Sequence, residues 1–571
     1  SDLTVRLDLI YNYQTDDAPG TAFKSGTFNP PRGTRDPFEP GAFSTFGGFE
    51  GNRPLGLKRS VEGITALAEW DIAEGMSLNS ITGWREFDSL EVFDPDGTSL
   101  NFFVFAEDAS GKQFSQEVRF NHTVNDKLSY FVGAGYFEEE GTQRVPLQFD
   151  ERIVLARIAN AISVPNPQPA EVLTSTALQA QILQGLGFPG PVAGALAAQL
   201  KPVHRESFAN SGETTSIDLF ADATYAVTDQ LEISAGLRWS SDDKTSGVIS
   251  SLDNGPSVLG TILSGNQAAI GALLTPNAPR APIGLFTQPT LRASQDTAKG
   301  EFDDVTWRLV AKYSPLEWMN LYASVAKGRR PDVISAAAPS APGGASRFAT
   351  IDAEEVTSFE AGIKALMLDG TLALDGSVYR YQYENFQTTD FVGNQIVTIN
   401  AGEADAIGLE GQFDWRFSPL MGLQGTYAYN EARLRTGARD GNRFRLSPDH
   451  ALSLALDVRG SAPAGEFFIR PNLTWQSSVF FDDDNDRADL QRRSPLQFSD
   501  FVVDERQSGY GLVNLRLGYE HESGLTVLGF VNNVADKKYL IDAGNTGDIF
   551  GIPTFIRGAP RTMGVEISKR F

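Results

Sequence analysis

The stretch FFDDDNDRAD, residues 480–489, holds Asp482, Asp483, Asp484, Asp486 and Asp489 within one short segment. Carboxylates at that density suit a hard cation such as calcium, which takes oxygen ligands. A solvated acidic loop carries the same letters. A second candidate is KGRRPD at 327–332, where Arg329 and Arg330 stand side by side. Their planar guanidinium groups fit an anionic ligand or a phosphate, although charge at the end of a strand is the plainer reading. GLGFPG at 185–190 satisfies G-x-G-x-x-G by letter. A dinucleotide site needs that pattern between a strand and a helix, whereas here it follows the helix-like TALQAQILQ and contains Pro189, which marks a loop breaker. No G-x-S-x-G, H-E-x-x-H or phosphate-loop pattern occurs, and His122, His204, His450 and His521 stand at no ligand spacing. With no cysteine in the chain, thiolate metal sites, disulfides and a Cys nucleophile are excluded. The residues point to binding, and nothing favours an enzyme.

The elements that position these groups alternate with period 2. In SIDLFADATYAV, Ile217, Leu219, Ala221, Ala223, Tyr225 and Val227 share one face. Ser216, Asp218, Asp222 and Thr224 share the other, with Phe220 as the exception. After TDQ at 228–230, Leu231, Ile233, Ala235, Leu237 and Trp239 alternate with Glu232, Ser234, Gly236, Arg238 and Ser240. The stretches SPDHALSLALDV and GLVNLRLGYE repeat the pattern, and each reads as a strand with one apolar face. Along the whole chain the pattern yields about eighteen strands of roughly ten to fifteen residues.

Connections sort by length. Tight ones fall at 73–75, 124–126, 228–230, 314–317, 368–370, 418–420, 461–465 and 522–523. Long ones alternate with them, among them 14–59, 142–212, 243–301, 329–353 and 482–506. Short turns on one rim and long loops on the other are the pattern of an outer-membrane barrel. A soluble sandwich has no reason to sort its loops this way. Composition agrees: 571 residues with 55 Gly, 38 Phe and 15 Tyr, and a net charge of −24, which argues against a nucleic-acid partner. No apolar run is long enough for a transmembrane helix, and SDLTVRLDLI alternates where a signal peptide would present an apolar block. The last segment, RTMGVEISKRF, places Met563, Val565, Ile567 and Phe571 on one face.

Several segments resemble one family, the TonB-dependent outer-membrane receptors. They are QFSQEVRF at 113–120, TYAVTDQLEISAGLRWSSDDK at 224–244 and WRLVAKYSPLEWMNLYASVAKGRRPD at 307–332. EEVTSFEAGIKALMLDGTLALDGSVYRYQYENFQ at 354–387, NAGEADAIGLEGQFDW at 400–415 and GFVNNVADKKYL at 529–540 continue the series. Their order and spacing carry the resemblance more than any one of them. The C-terminal segment is similar to the assembly signal of such barrels, carried here by Val565, Ile567 and Phe571. Lys569 departs from it, standing where an apolar residue is usual.

The resemblance implies an all-β fold, a transmembrane antiparallel β-barrel of roughly 22 strands with a plug in its lumen. This chain, 1–571, is then expected to be the barrel portion, with the plug and about four strands outside it. The segment 142–212 becomes a long extracellular loop with short helices, from the helical spacing of Leu178, Ile182, Leu183 and Leu186. The implied function is import of a scarce nutrient, most commonly an iron–siderophore complex, driven by the TonB complex of the inner membrane. Cobalamin, haem and oligosaccharides are other cargoes of the family, and a passive diffusion porin is the alternative from another class. The implied partners are that complex, outer-membrane lipid and lipopolysaccharide, the barrel assembly machinery and the small-molecule ligand. No cofactor is implied: iron would travel as cargo, and calcium is a candidate only at the acidic loop. Asp218, Arg238, Asn514 and Arg516 are expected to line the lumen, and Trp239, Tyr519 and Phe571 to mark the membrane interfaces.

Overall fold

The computed structural model describes the chain except residues 1–4, 21–23, 26–36, 39–48, 99, 162–168, 293, 393–394, 491–492, 495–496, 499–504, 545–553 and 571. One antiparallel sheet of 18 strands dominates it. In chain order the strands are β1 (Val5–Pro19), β2 (Gly56–Ala73), β3 (Met76–Phe93), β4 (Phe103–Asn125), β5 (Leu128–Phe149) and β6 (His204–Ala226). Next come β7 (Leu231–Leu252), β8 (Asp296–Leu316), β9 (Met319–Arg330), β10 (Glu354–Met367), β11 (Leu372–Glu384) and β12 (Ala404–Ser418). The series ends with β13 (Met421–Leu434), β14 (His450–Ala462), β15 (Gly465–Gln476), β16 (Tyr510–His521), β17 (Leu525–Asn532) and β18 (Thr562–Lys569).

Each strand pairs with the next, from Val5↔Trp70 at one end to Leu525↔Lys569 at the other. Every second connection is a tight turn, as at 74–75, 126–127, 227–230 and 522–524. The up-and-down order needs no crossover, so loop length alone distinguishes the two rims.

The outward face is apolar. Leu219, Leu237, Leu309, Val378, Leu409 and Leu517 are exposed large side chains on a surface with no protein over it. Such a surface is stable facing hydrocarbon, where every backbone group must be paired. Trp239 and Trp307 lie on this face toward the long-loop rim, and Tyr225 and Tyr519 toward the short-turn rim, where amphipathic rings meet headgroups. Phe571 lies outside the described residues.

The barrel is uneven in height. Strands β2 to β8 have 18 to 23 residues, longer than alternation indicates, while β9 to β18 have 8 to 15. At about 3.3 Å per residue the long group reaches about 60–75 Å along the strand, against an apolar band about 25 Å tall. The surplus stands above the membrane as a wall, where both faces are wet or covered and the alternation fades. That is why TQRVPLQF at 142–149 reads as loop in the sequence yet belongs to β5.

A helical cap rests on this wall. The segment 150–203 carries α1 (Glu151–Ala161), α2 (Pro169–Thr174), α3 (Thr176–Gly185) and α4 (Gly190–Ala197). The segment 253–295 adds α5 (Val258–Leu263) and α6 (Gln267–Leu274). Ser175, Ser257 and Asn266 cap α3, α5 and α6 with their side-chain oxygens. GLGFPG is the break between α3 and α4, with Gly187 at a φ of 96°. Phe102, Phe149, Leu155, Ile182, Leu183, Leu196 and Leu259 form the cap's core. In the barrel itself the interior face is polar.

Candidate functional site: the lumen wall and its mouth

Alternation puts Asp218, Asp222, Arg238, Ser240, Asp304 and Arg308 on the inner face of β6, β7 and β8, in register with one another. Arg238 donates to Asp218 at 2.9 Å, and Arg308 to Asp222 at 2.8 Å. Ser240 also donates to Asp218, and Ser216 to Asp242. Arg470 and Arg459 share Asp457 across β14 and β15 at 2.9 and 3.2 Å. Asn514 and Arg516 take the same inner face, Asn514 opposite Asn472 and Arg516 opposite Arg470. The wall is therefore a lattice of paired charges with hydroxyls and amides between them. Fixed pairs present alternating donors and acceptors to the lumen, while Arg516 stands without a carboxylate among the described residues and reaches Asn532 at 3.4 Å.

The two arginines of KGRRPD part company. The pairing of β8 with β9 ends at Trp307↔Lys327, and above it side chains hold the seam. Arg329 is turned inward with its side chain only 8% exposed, bonded to Asp242 at 2.9 Å and 3.5 Å from Asp304. Lys327 bridges to Glu355 at 2.8 Å, and Lys244 donates to the Asp332 carbonyl. Arg330 is the exposed member, with one nitrogen on the Gln387 carbonyl at 3.2 Å. A cavity of about 710 Å³ opens beside Arg329, lined by Asp218, Arg238, Asp242 and Lys244.

The acidic stretch lies at the mouth, in the loop between β15 and β16. Its carboxylates accept from the backbone: Asp482 from Asp484 N–H at 2.9 Å, Asp484 from Asp486 N–H at 2.7 Å, and Asp486 from Glu505 N–H at 2.9 Å. Asp483 accepts from Arg445 N–H at 3.1 Å and from the Thr388 hydroxyl at 2.6 Å. Burial, then the neighbouring Asp482 charge, pushes the Asp484 carboxyl up to about 6. Among the described residues, no three His, Asp or Glu side chains gather as a metal-ligand set. Thr388 and Asp390 belong to a hairpin, Gln387–Val392 with Gln395–Asn400, and Asp390 pairs with Arg439 at 3.5 Å. Three mouth loops are thus tied to one another by side chains.

Sequence reading missed two clusters that bring distant parts of the chain together. Glu50, Arg53, Asp108 and Arg144 form a closed quartet that fastens the first long loop to β4 and β5. Glu151, Lys201, His204 and Glu206 meet under the cap. Three of the second cluster's residues stand together in KPVHRESF, but nothing in that stretch marks Glu151 as their partner. Val565 and Ile567 point outward on β18, while Phe571 lies outside the described residues.

The architecture is that of an outer-membrane β-barrel with a polar lumen. The family description "TonB dependent receptor-like, beta-barrel" matches residues 6–534, and the chain belongs to that family of transport receptors. It therefore resides in the outer membrane. The pesticin receptor of Yersinia enterocolitica is 24% identical over 334 residues, covering 58% of this chain and 41% of the relative. The chain thus spans about two fifths of the length of that curated relative. Among solved structures, the ferric yersiniabactin uptake receptor FyuA from Yersinia pestis superposes with a TM-score of 0.64 at 14% identity, over 98% of this chain and 74% of that one. The siderophore receptor PiuA from Acinetobacter baumannii gives 0.62 at 15% identity, over 99% and 71%. At that identity the likeness speaks for the fold.

Proposed function

We propose that the protein captures an iron–siderophore complex at the cell surface and imports it with energy from the TonB complex. The observation that carries this reading is the lumen wall. It is a polar lattice of paired charges behind a lipid-facing apolar surface, in a member of a transport-receptor family. The outer membrane has no nucleotide supply and no ion gradient, so concentrative uptake has to draw force from the inner membrane. FyuA is a ferric yersiniabactin uptake receptor and PiuA a siderophore receptor, which supports an iron chelate over other cargoes.

In this reading a plug and about four further strands complete the molecule, and TonB acts on the plug. Arg330 meets an anionic ligand at the mouth, while Arg329 holds the wall beside it. Lipopolysaccharide surrounds the outward face, and the assembly machinery reads Val565, Ile567 and Phe571. Growth rescue under iron starvation with a panel of ferric chelates, haem, cobalamin and oligosaccharides tests the cargo. Rescue by a ferric chelate that vanishes on deletion of TonB is the expected result. Uptake that persists undiminished in the deletion strain makes the protein a passive pore.

A further inference from the structure

Beneath the cap, four ionisable side chains join the two long extramembrane segments. Glu151, His204 and Glu206 are fully buried. Glu206, near the top of β6, accepts three successive backbone N–H groups of the second segment: Leu285 at 2.5 Å, Phe286 at 3.0 Å and Thr287 at 2.8 Å. Its fourth partner is His204 Nε2 at 3.1 Å. Glu151, at the start of α1, accepts from Lys201 N–H at 2.8 Å, Ser257 Oγ at 2.6 Å and Val258 N–H at 2.9 Å. Lys201 Nζ reaches His204 Nδ1 at 3.3 Å and the carbonyls of Asn254 and Gly255 at 2.9 and 3.2 Å. An ammonium can only donate, so Nδ1 accepts, and the imidazole carries its proton on Nε2 toward Glu206.

The charges do not cancel. Two buried carboxylates face one ammonium and a neutral imidazole, which leaves one negative charge uncompensated. Of the other charged groups around the cluster, Asp150 is paired with Arg152, while Arg205, Asp253 and Arg280 hydrogen-bond to the neutral Gln148, Ser207 and Ser251, and Gln199 from partly or fully exposed positions, where solvent screens their charges. An uncompensated buried charge is costly, and one proton removes it.

We infer that this cluster is a proton-sensitive latch: it takes up one proton as the surroundings turn mildly acidic and then holds the 253–295 segment more firmly to the 150–203 segment. The direction follows from linkage. Burial pushes the Glu151 carboxyl above its usual range, so the closed cap binds more protons than the opened one. Falling pH therefore favours the closed form, and rising pH weakens it. The inference goes beyond transport and needs no cargo for its test.

Hydrogen exchange of the detergent-solubilised native protein, corrected for the intrinsic pH dependence of exchange, reads the latch directly at the amides of Val258 and 285–287. Protection at about pH 5.5 should exceed that at about pH 8 by about fivefold, within the limit of tenfold per pH unit for one proton. Glu151→Gln keeps one of the two acceptor oxygens and removes the charge, and His204→Gln removes the imidazole. The variant that loses the proton's host should show equal protection at both pH values. Protection that is flat or reversed in the native protein overturns the latch, as does a pH response that survives in both variants.

Discussion

Phe220 lies across Gly133 of the neighbouring strand, and the Arg238 guanidinium from the strand beyond sits 5.5 Å from the ring centre. The three positions are in register, Gly133↔Phe220↔Arg238, on the inner face of β5, β6 and β7. This explains the one aromatic residue among Ser216, Asp218, Asp222 and Thr224 on that face of β6. The ring fills the space that glycine leaves, restores side-chain contact across the pair and presents its π face to a cation. A Cβ at position 133 would run into the ring.

Gly133→Val should therefore destabilise the barrel by overpacking, by about 1–3 kcal/mol. The temperature at which the compact electrophoretic form gives way to the unfolded one reports this directly. Adding Phe220→Ala should recover the part of the loss that comes from the ring, leaving the approach of the new side chain to the Val118 carbonyl. If the double variant is as weak as the sum of the singles, the contact is not the cause.

The Arg329–Asp242 pair is buried on both sides, at 8% and 5% side-chain exposure. Arg329→Ala would leave the buried Asp242 without its cation, while Asp304 keeps Lys327 at 3.7 Å, at a cost of about 3–5 kcal/mol. Arg329→Met with Asp242→Leu should cost much less, since no charge is then stranded. Arg330→Ala, at the exposed neighbour, should leave stability within about 0.5 kcal/mol of the parent. Thermal denaturation in detergent separates the three.

These cases show how much was legible in the sequence. Period 2 is a property of the backbone, so the strands and the inner faces of Asp218, Arg238, Asn514 and Arg516 could be read from neighbours alone. The tight turns followed from the same alternation. Arg329 and Arg330 looked equivalent because the end of the β8–β9 pairing, which turns Arg329 inward, depends on a register between distant segments. The cap latch was less legible still: Glu206 and Leu285 are 79 positions apart, and Glu151 and Ser257 are 106 apart. Above the membrane the wall loses the apolar outer face that makes alternation visible, so its height was underestimated.

Two mouth carboxylates should respond to pH in opposite senses. Hydrogen bonding to Arg144 holds the Glu50 carboxyl below its usual range, so its contribution is present at neutral pH and fades as acid protonates it. The quartet is partly exposed, so added salt should weaken it as well. Protection of the amides at 49–53 should accordingly fall below about pH 4 and in high salt. Protection that is indifferent to both would show that the quartet does not fasten the loop.

Asp484 runs the other way. With its carboxyl pushed up to about 6 by burial, the folded loop binds a proton that the open loop releases. The loop should gain stability as pH falls from neutral through about 6 toward the unfolded value, and lose it on return. Asp484→Asn keeps an oxygen for the Asp486 N–H without the charge, so it should stabilise 482–487 at neutral pH and change little at about pH 4. Equal exchange in both proteins at neutral pH would remove the case for an unfavourable charge there.

The final prediction concerns the two outer strands of the sheet. Among the described residues β1 pairs only with β2 and β18 only with β17, and no backbone pairing joins β1 to β18. Leu9 and Val565 are 70% and 72% exposed, more than the lipid-facing residues of the inner strands, because each lacks a neighbour on one side. In lipid, unpaired N–H and C=O groups along such edges cost several kcal/mol each, so the edges must be satisfied. Direct closure would change tilt and shear throughout the barrel, whereas about four added strands would bridge the gap at the spacing already present. Those strands would hold the edges about 24 Å apart, five steps of about 4.8 Å, against about 5 Å for direct partners. The 571 residues contain no cysteine, so Leu9→Cys and Val565→Cys are the two thiols within this segment, and a tryptic map identifies a disulfide between them. Oxidation in native membranes should give no intramolecular disulfide, and intact mass should exceed that of residues 1–571. Efficient crosslinking of these two positions would mean that the first and last strands close the barrel themselves.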